Sequence, residues 1–216
     1  MLGGSNFPSA VHLPKVKDRA ELELVWKTVS DTVGGDRAPM GLIMFIETAR
    51  SLLDVDQICK AAWDLASQPG SLLCPVALVF GSDDFAADIG ATRSKSNTEL
   101  MLARQMIVTA AKAHNLQAID AVYIDYKDQE GLRRQSEEGA AWGFTGKQVI
   151  HPGQVATVQT AFTPSAERQS WARELMSAFH QHQSEGRGAF TFRGHMIDMP
   201  TVKQAQNVLD ICDRTS

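Results

Sequence analysis

Cysteine is scarce in this 216-residue chain: Cys59, Cys74 and Cys212 are an odd number with no CxxC spacing. That argues against a disulfide framework or a structural zinc site. Each thiol, set among apolar neighbours, reads as a small buried hydrophobe in a reducing compartment. Excess basic charge is also lacking, with 21 Lys and Arg against 25 Asp and Glu and a net charge of −4. Neither a nucleic-acid footprint nor a polybasic membrane face is suggested. No apolar run approaches the roughly 20 residues that span a bilayer. The opening "MLGGSNFPSA" has neither the basic nor the apolar region of a signal peptide, and it is not an arginine-rich amphipathic presequence. Internal repeats and low-complexity stretches are absent. What remains is an ordinary globular composition, 44% hydrophobic and 21% charged, long enough for one sizeable core or one domain with an appendage.

The pattern of that composition is an alternation. "AVHLPKV" predicts a short strand and "DRAELELVWKTVSDTV" a helix, opened by Asp18 and Glu21 at capping-box spacing. "MGLIMFIETA" predicts a strand ending at Glu47, and "LLDVDQICKAAWDLA" a helix. "VALVF" predicts a strand buried on both faces, followed by a helix from about residue 97 to 114, where Ser96 and Glu99 repeat the box. "AIDAVYID", "QEGLRRQSEEGAAWG" and "KQVIHP" continue as strand, helix and short strand. Strands alternating with helices of this length predict βαβ units and a parallel sheet. After Pro152 the alternation stops. Two helices are expected at about 153–162 and 165–185, then a hairpin in "GRGAFTFRGHMIDMP" and a last helix with Pro200 in its first position.

In parallel sheets, ligands gather at the carboxyl ends of the strands. Three acids lie at such ends. Glu47 closes one buried strand, and Asp83 with Asp84 follows the next, one crossover later. Two carboxylates on neighbouring strands, with water and substrate filling the other positions, is how Mg²⁺ is usually held. Each acid also has a plainer reading: Asp83 or Asp84 as a turn cap, and Glu47 as a carboxylate at a helix start.

The stretches "LPKV", "FIET", "VFGSDDFAADIG", "AIDAVYIDYKDQEGL", "GFTGKQVIHP" and "GAFTFRGHMIDMP" occur in series. Together they resemble the citrate lyase β-subunit-like branch of the HpcH/HpaI aldolase family, and within it the mitochondrial members of animals. The resemblance implies an α/β fold of the TIM-type (β/α)8 barrel class with a helical C-terminal lid extension, assembled as a homotrimer in mitochondria. It implies Mg²⁺ held by Glu47 and Asp84, leaving Asp83 to face solvent or cap the turn. The implied reaction is a retro-Claisen cleavage of the acyl-CoA thioester citramalyl-CoA to acetyl-CoA and pyruvate, with malate or β-methylmalate synthase activity at the side. Asp198, in the "MIDMP" stretch, would be the catalytic acid or base, delivered by a lid from a neighbouring subunit. Capping of the last helix is the alternative for Asp198. Lys15 and Arg93 are candidate contacts for anionic substrate groups, beside Glu47. Lys15 also reads as a solvated lysine, and His151 as structural. The family's acid after "LPKV" is here Lys17.

A (β/α)8 barrel takes about 250 residues. Here residues 11–163 are expected to supply about five strands and residues 164–216 the extension, with residues 1–10 expected to lie outside the resemblance. The opening βα units, which carry part of the substrate and CoA contacts, are not found. The expected form is therefore an incomplete barrel with exposed strand edges. Two other classes stay open: a shortened, non-catalytic metal- and acid-binding or interaction form, and the β subunit of a citrate lyase complex, against which the tail "AFTFRGHMIDMP" argues.

Overall fold

The apolar runs pair in chain order. In the computed structural model, which describes residues 7–33, 37–184 and 190–215, the chain divides into two units, Met1–Val158 and Gln159–Ser216. In the first, β1 (Ala10–Leu13), β2 (Met40–Ile46), β3 (Leu73–Phe80), β4 (Gln117–Asp120) and β5 (Gly146–Lys147) form one sheet in that order, every pair parallel. The crossovers are α1 (Arg19–Val33), α2 (Ala49–Leu53) with α3 (Val55–Ala66), α4 (Ser82–Asp88) with α5 (Met101–Ala113), and α6 (Gln129–Trp142). The α/β class and parallel sheet follow the alternation in the sequence.

The helix starts depart from the expected elements for reasons of local chemistry. The helix expected over residues 52–66 begins at Ala49 and breaks at Asp54, so it becomes α2 and α3. Thr48 and Ser51 make a capping box there, each side chain taking the other's backbone N–H at 3.1 Å. α3 buries Val55, Ile58, Cys59, Ala62 and Leu65 at helical spacing. At α1, Asp18 accepts from the Glu21 N–H, but Glu21 reaches back to Lys17 instead of Asp18. Ser96 and Glu99 make no box. Glu99 instead takes the N–H and hydroxyl of Ser94, and α5 starts later, at Met101. "AIDAVYID" pairs only up to Asp120, and "KQVIHP" contributes only Lys147 to the sheet.

The register of β2 against β3 positions the site. Leu42 pairs with Pro75 and Ile43 with Ala77, so Val76 is an extra residue next to a proline that cannot donate to the ladder. Beyond this bulge the strands run in step to Ile46 opposite Phe80. The Gly81 N–H then donates to the Ile46 carbonyl at 3.0 Å, so Glu47 and Gly81 leave the sheet at one level.

An ionic cluster is buried beside β4. Arg104, 1% exposed, grips both oxygens of the fully buried Asp120 at 3.0 and 2.8 Å and reaches Glu138 at 2.7 Å. Lys147 adds a contact to Asp120 at 3.4 Å and donates to Gln135 at 2.6 Å. A Cβ on Gly139 would lie 2.6 Å from Asp120 Oδ2, so glycine there keeps room for the pair. Charges buried this deeply persist only when each is paired.

α7 (Val155–Phe162) crosses the boundary between the units. The second unit holds α8 (Ala166–Ser184), an antiparallel hairpin of β6 (Phe190–Phe192) and β7 (His195–Ile197), and α9 (Met199–Thr215). Arg193 and Gly194 both take positive φ (49° and 83°), as a tight two-residue hairpin turn requires. The start expected for this hairpin, around residue 186, lies outside the described residues. Leu175, Phe190, Val202 and Ala205 belong to a small core of the unit's own. α9 begins at Met199, which puts Pro200 second instead of first; both positions leave its missing N–H unneeded.

Candidate metal centre

Glu47 immediately follows β2 and is buried, with 6% exposure, and among the described residues its Oε2 has no hydrogen-bond partner. An unpaired buried carboxylate oxygen is costly, so something must compensate it when the group is ionised. Asp84 sits in the first turn of α4, half exposed. The two carboxyl groups are close enough to perturb each other. The Glu47 carboxyl is pushed above its usual range by burial first and then by the Asp84 charge, while Lys15 pulls it back. Lys15 Nζ lies 3.6 Å from Asp84 Oδ2, and Lys15 itself takes a left-handed φ of 55°. Carboxylates that repel each other and leave an oxygen unsatisfied fit a hard divalent cation. Gly81 makes the approach possible: a Cβ there would stand 2.3 Å from Glu47 Cγ.

Two further contacts hold the carboxylate-bearing segments. Asp88, one helical turn beyond Asp84, accepts from the Ala49 N–H at 2.7 Å, tying the far end of α4 to the residue two beyond Glu47. Asp83 is half exposed, as a solvent-facing residue would be, but it is not free, because it ion-pairs with Arg93. Arg93 also reaches Ser82 Oγ at 3.0 Å and Asn97 Oδ1 at 3.1 Å. Its guanidinium is thus held by the loop it belongs to and by α4; among the described residues Nε makes no hydrogen bond and faces Glu99 at 4.0 Å.

The structure therefore brings Glu47, Asp84 and Lys15 together and places Arg93 one pair away, through Asp83. His151 stands at the carboxyl end of β5, stacked on Tyr126 at 4.7 Å, and its Nδ1 accepts from the Gly153 N–H at 3.0 Å. That fixes the proton on Nε2 and gives His151 a structural task. Asp198, in the second unit, caps α9: its Oδ1 accepts from the Thr201 N–H at 2.9 Å and hydroxyl at 2.6 Å. These bonds hold its carboxyl below the usual range. Met196 and Met199 flank it, 81% and 64% exposed. Gly81, the Thr48–Ser51 box and Asp88 were not singled out from sequence. The box had a visible signal, a Thr-x-x-Ser spacing right after Glu47; the glycine's role is visible only in the geometry.

The family model for the HpcH/HpaI aldolase/citrate lyase family matches residues 5–152. The mitochondrial citramalyl-CoA lyase of Homo sapiens is 52% identical over 206 residues, 94% of this chain and 60% of that protein. The Mus musculus enzyme of the same name is 51% identical with the same coverage. The chain thus spans about 60% of the length of these curated relatives. Among solved structures, CitE from Mycobacterium tuberculosis in complex with magnesium, acetoacetate and coenzyme A is similar with a TM-score of 0.68. It shares 30% identity, over 95% of this chain and 68% of that one.

Proposed function

The chain belongs to the HpcH/HpaI aldolase/citrate lyase family, and we propose on that premise that it carries the metal half of a Mg²⁺-dependent carbon–carbon lyase active site. The substrate in this reading is citramalyl-CoA, cleaved to acetyl-CoA and pyruvate. The observation that carries it is the pairing of a buried, unsatisfied Glu47 oxygen with Asp84 across a glycine. Glu47 and Asp84 would hold Mg²⁺, which when bound supplies Lewis-acid polarisation of substrate carboxylate and hydroxyl oxygens. Two relatives of known structure, both from M. tuberculosis, were solved with magnesium beside acetoacetate or oxaloacetate, small oxo acids of the class the products include.

The remaining residues do what their positions allow. Lys15 sets a positive charge beside Asp84, where it offsets the two carboxylates and can meet a substrate carboxylate. Arg93 acts through Asp83, fixing the first turn of α4 beside the ligand Asp84. Asp198 is the candidate for proton traffic at the acetyl-CoA enolate. As α9's cap it is held ionised, so taking up a proton would mean giving up the Thr201 bonds. Its hairpin would act as a lid that excludes water, with Met196 and Met199 as apolar edges. We extend to this chain the mitochondrial location of its mammalian relatives, a homotrimeric assembly with the lid shared between subunits, and a barrel whose five described strands are consecutive.

A second reading is favoured by the sheet itself, which among the described residues ends in open edges at β1 and β5. In it the 216-residue chain binds Mg²⁺ and oxo acids without turning over a CoA thioester. One experiment separates the two. The purified chain is given citramalyl-CoA and Mg²⁺, and acetyl-CoA and pyruvate are measured. Release of both in equal amounts supports the lyase; Mg²⁺ binding without release supports the second reading.

A further inference from the structure

A second concentration of charge lies apart from the two carboxylates, in a pocket of about 360 Å³ lined by Lys95, Ser96, Tyr123, Arg134, Gln135 and Glu138. Two of its acceptor oxygens are already engaged. Glu138 Oε2 takes a hydrogen bond from Arg104 at 2.7 Å, and Gln135 Oε1 takes one from Lys147 at 2.6 Å. Asp128, next to the pocket, accepts from the Tyr123 hydroxyl at 2.6 Å and from the Gly131 N–H at 2.9 Å. Its strongest donors are free. Among the described residues neither Lys95 nor Arg134 has a hydrogen-bond or ion-pair partner, and both are near enough to Asp128 to help hold its carboxyl low, behind the Tyr123 and Gly131 bonds.

The walls are preset. Arg93 and Ser94 bind Asn97 and Glu99 within the loop that carries Lys95, so the loop's backbone is tied at both ends. On the other wall, a Cβ at Gly131 would lie 2.0 Å from the Tyr123 hydroxyl oxygen, so only glycine leaves the Tyr123–Asp128 pair in place. Gly131 belongs to the first turn of α6, whose macrodipole adds positive potential there.

We propose that this pocket binds a compact phosphate-class dianion, separately from the metal centre and independently of the lyase reading. Phosphate carries about −1.5 to −2 charge near neutral pH and offers only acceptors at its anionic oxygens. It matches a pocket whose unengaged donors are an ammonium, a guanidinium and the Gln135 amide NH₂, with the charge of Glu138 tied to Arg104 through Oε2. Arg134 can grip two of its oxygens side by side, while Lys95 acts as a point charge.

The test is calorimetric titration of the Mg²⁺-free chain with inorganic phosphate. It is repeated with Lys95→Gln, Arg134→Gln, the double variant and, as a control, Glu47→Gln. Lys95 and Arg134 are exposed, so the folded state tolerates their replacement. Each single substitution should weaken one-to-one binding by about tenfold or more, and the double should abolish it, while Glu47→Gln leaves it intact. Competition then identifies the source. Displacement of phosphate by coenzyme A but not by dephospho-coenzyme A supports the site as a holder of the thioester's 3′-phosphate. Displacement by neither supports it as a site for a free anion. Absence of saturable phosphate binding, or equal binding in the double variant, overturns the proposal.

Discussion

Glu47 lies across the space where a side chain on Gly81 would begin, with its Cδ and Oε1 both 2.8 Å from the position of a Cβ there. The two residues are also joined through the sheet, since the Gly81 N–H bonds the carbonyl of Ile46, immediately before Glu47. A methyl at residue 81 must therefore push the carboxylate aside without unpairing the strands. Gly81→Ala should fold, with a stability loss of about 1–3 kcal/mol for overpacking, yet bind Mg²⁺ at least about tenfold more weakly. Thermal melting and calorimetric Mg²⁺ titration read the two effects separately. Unchanged affinity would show that Glu47 is not a ligand.

Adjacent aspartates should behave differently. Asp84→Asn should abolish Mg²⁺ binding, because an amide offers a hard cation only one neutral oxygen. Asp83→Asn removes only an exposed partner of Arg93, which keeps Ser82 and Asn97. Exposed pairs contribute little, so affinity should change by less than about threefold. Equal losses in the two variants would refute the assignment of Asp84.

How much of this was legible follows from the range of the interactions. The parallel sheet, the strand-end acids and the buried run of β3 are encoded locally, in apolar runs and helical spacing. The ends of β4 and β5 were overextended because apolar residues such as Val149 and Ile150 continue past the pairing; they are exposed, at 40% and 55%. Glu99 bonds Ser94 instead of the expected Ser96 because a left-handed Asn97 turns the chain just before it. The Arg104–Asp120–Lys147 cluster joins two strands and a helix, and no spacing rule reaches across that separation. Gly81 carries no local signal beyond following an apolar run; its role comes from a side chain 34 positions away, at the end of a neighbouring strand.

Metal uptake should depend on pH through Glu47. Burial, and then the Asp84 charge, raise its proton affinity, so the neutral form persists above the usual carboxylate range. A cation binds the ionised form, so Mg²⁺ affinity should fall as pH drops, starting above the range in which an ordinary glutamate titrates. Lys15 opposes the shift, so Lys15→Met should move the onset to still higher pH. Calorimetric titrations between about pH 4.5 and 8 test this. An onset that is the same with and without Lys15 would contradict it.

Stability should carry its own pH signature, from Lys147. Burial pushes this amine down to about 8 from its ordinary 10.5, with Asp120 pulling upward and Arg104 adding to the depression. Between those values the unfolded chain holds the proton that the folded chain has released, so the contribution of this group to stability should rise with pH across the window. The gain from this group is on the order of 3 kcal/mol in all. From pH 9 upward Cys59, whose thiol burial pushes to about 12, works in the opposite direction, and Tyr123, raised to about 12 by its bond to Asp128, joins it from pH 10. The useful range is therefore pH 8–9. Lys147→Met should flatten the urea-unfolding free energy over that range, and a slope that survives the substitution would assign it to another group.

The lid proposed around Asp198 is best tested in a form extended to the length of the mammalian relatives. Asp198 there needs to be a proton carrier and not only the cap it makes with Thr201. Asp198→Asn keeps a side-chain oxygen for the cap, so α9 should survive while kcat falls by about 10²–10⁴-fold, the usual loss for a positioned acid or base. Mg²⁺ affinity should not change, because neither ligand is altered. A lid shared between subunits makes a sharper prediction. Chains carrying Asp198→Asn and chains carrying Asp84→Asn are each inactive, but mixed assemblies would contain some sites with an intact metal pair from one chain and an intact lid from another. Activity should therefore return on mixing, in proportion to subunit exchange followed by mass spectrometry of labelled chains. Full exchange with no recovered turnover would place the lid's action within its own chain, and an unchanged kcat in Asp198→Asn alone would leave Asp198 as a helix cap.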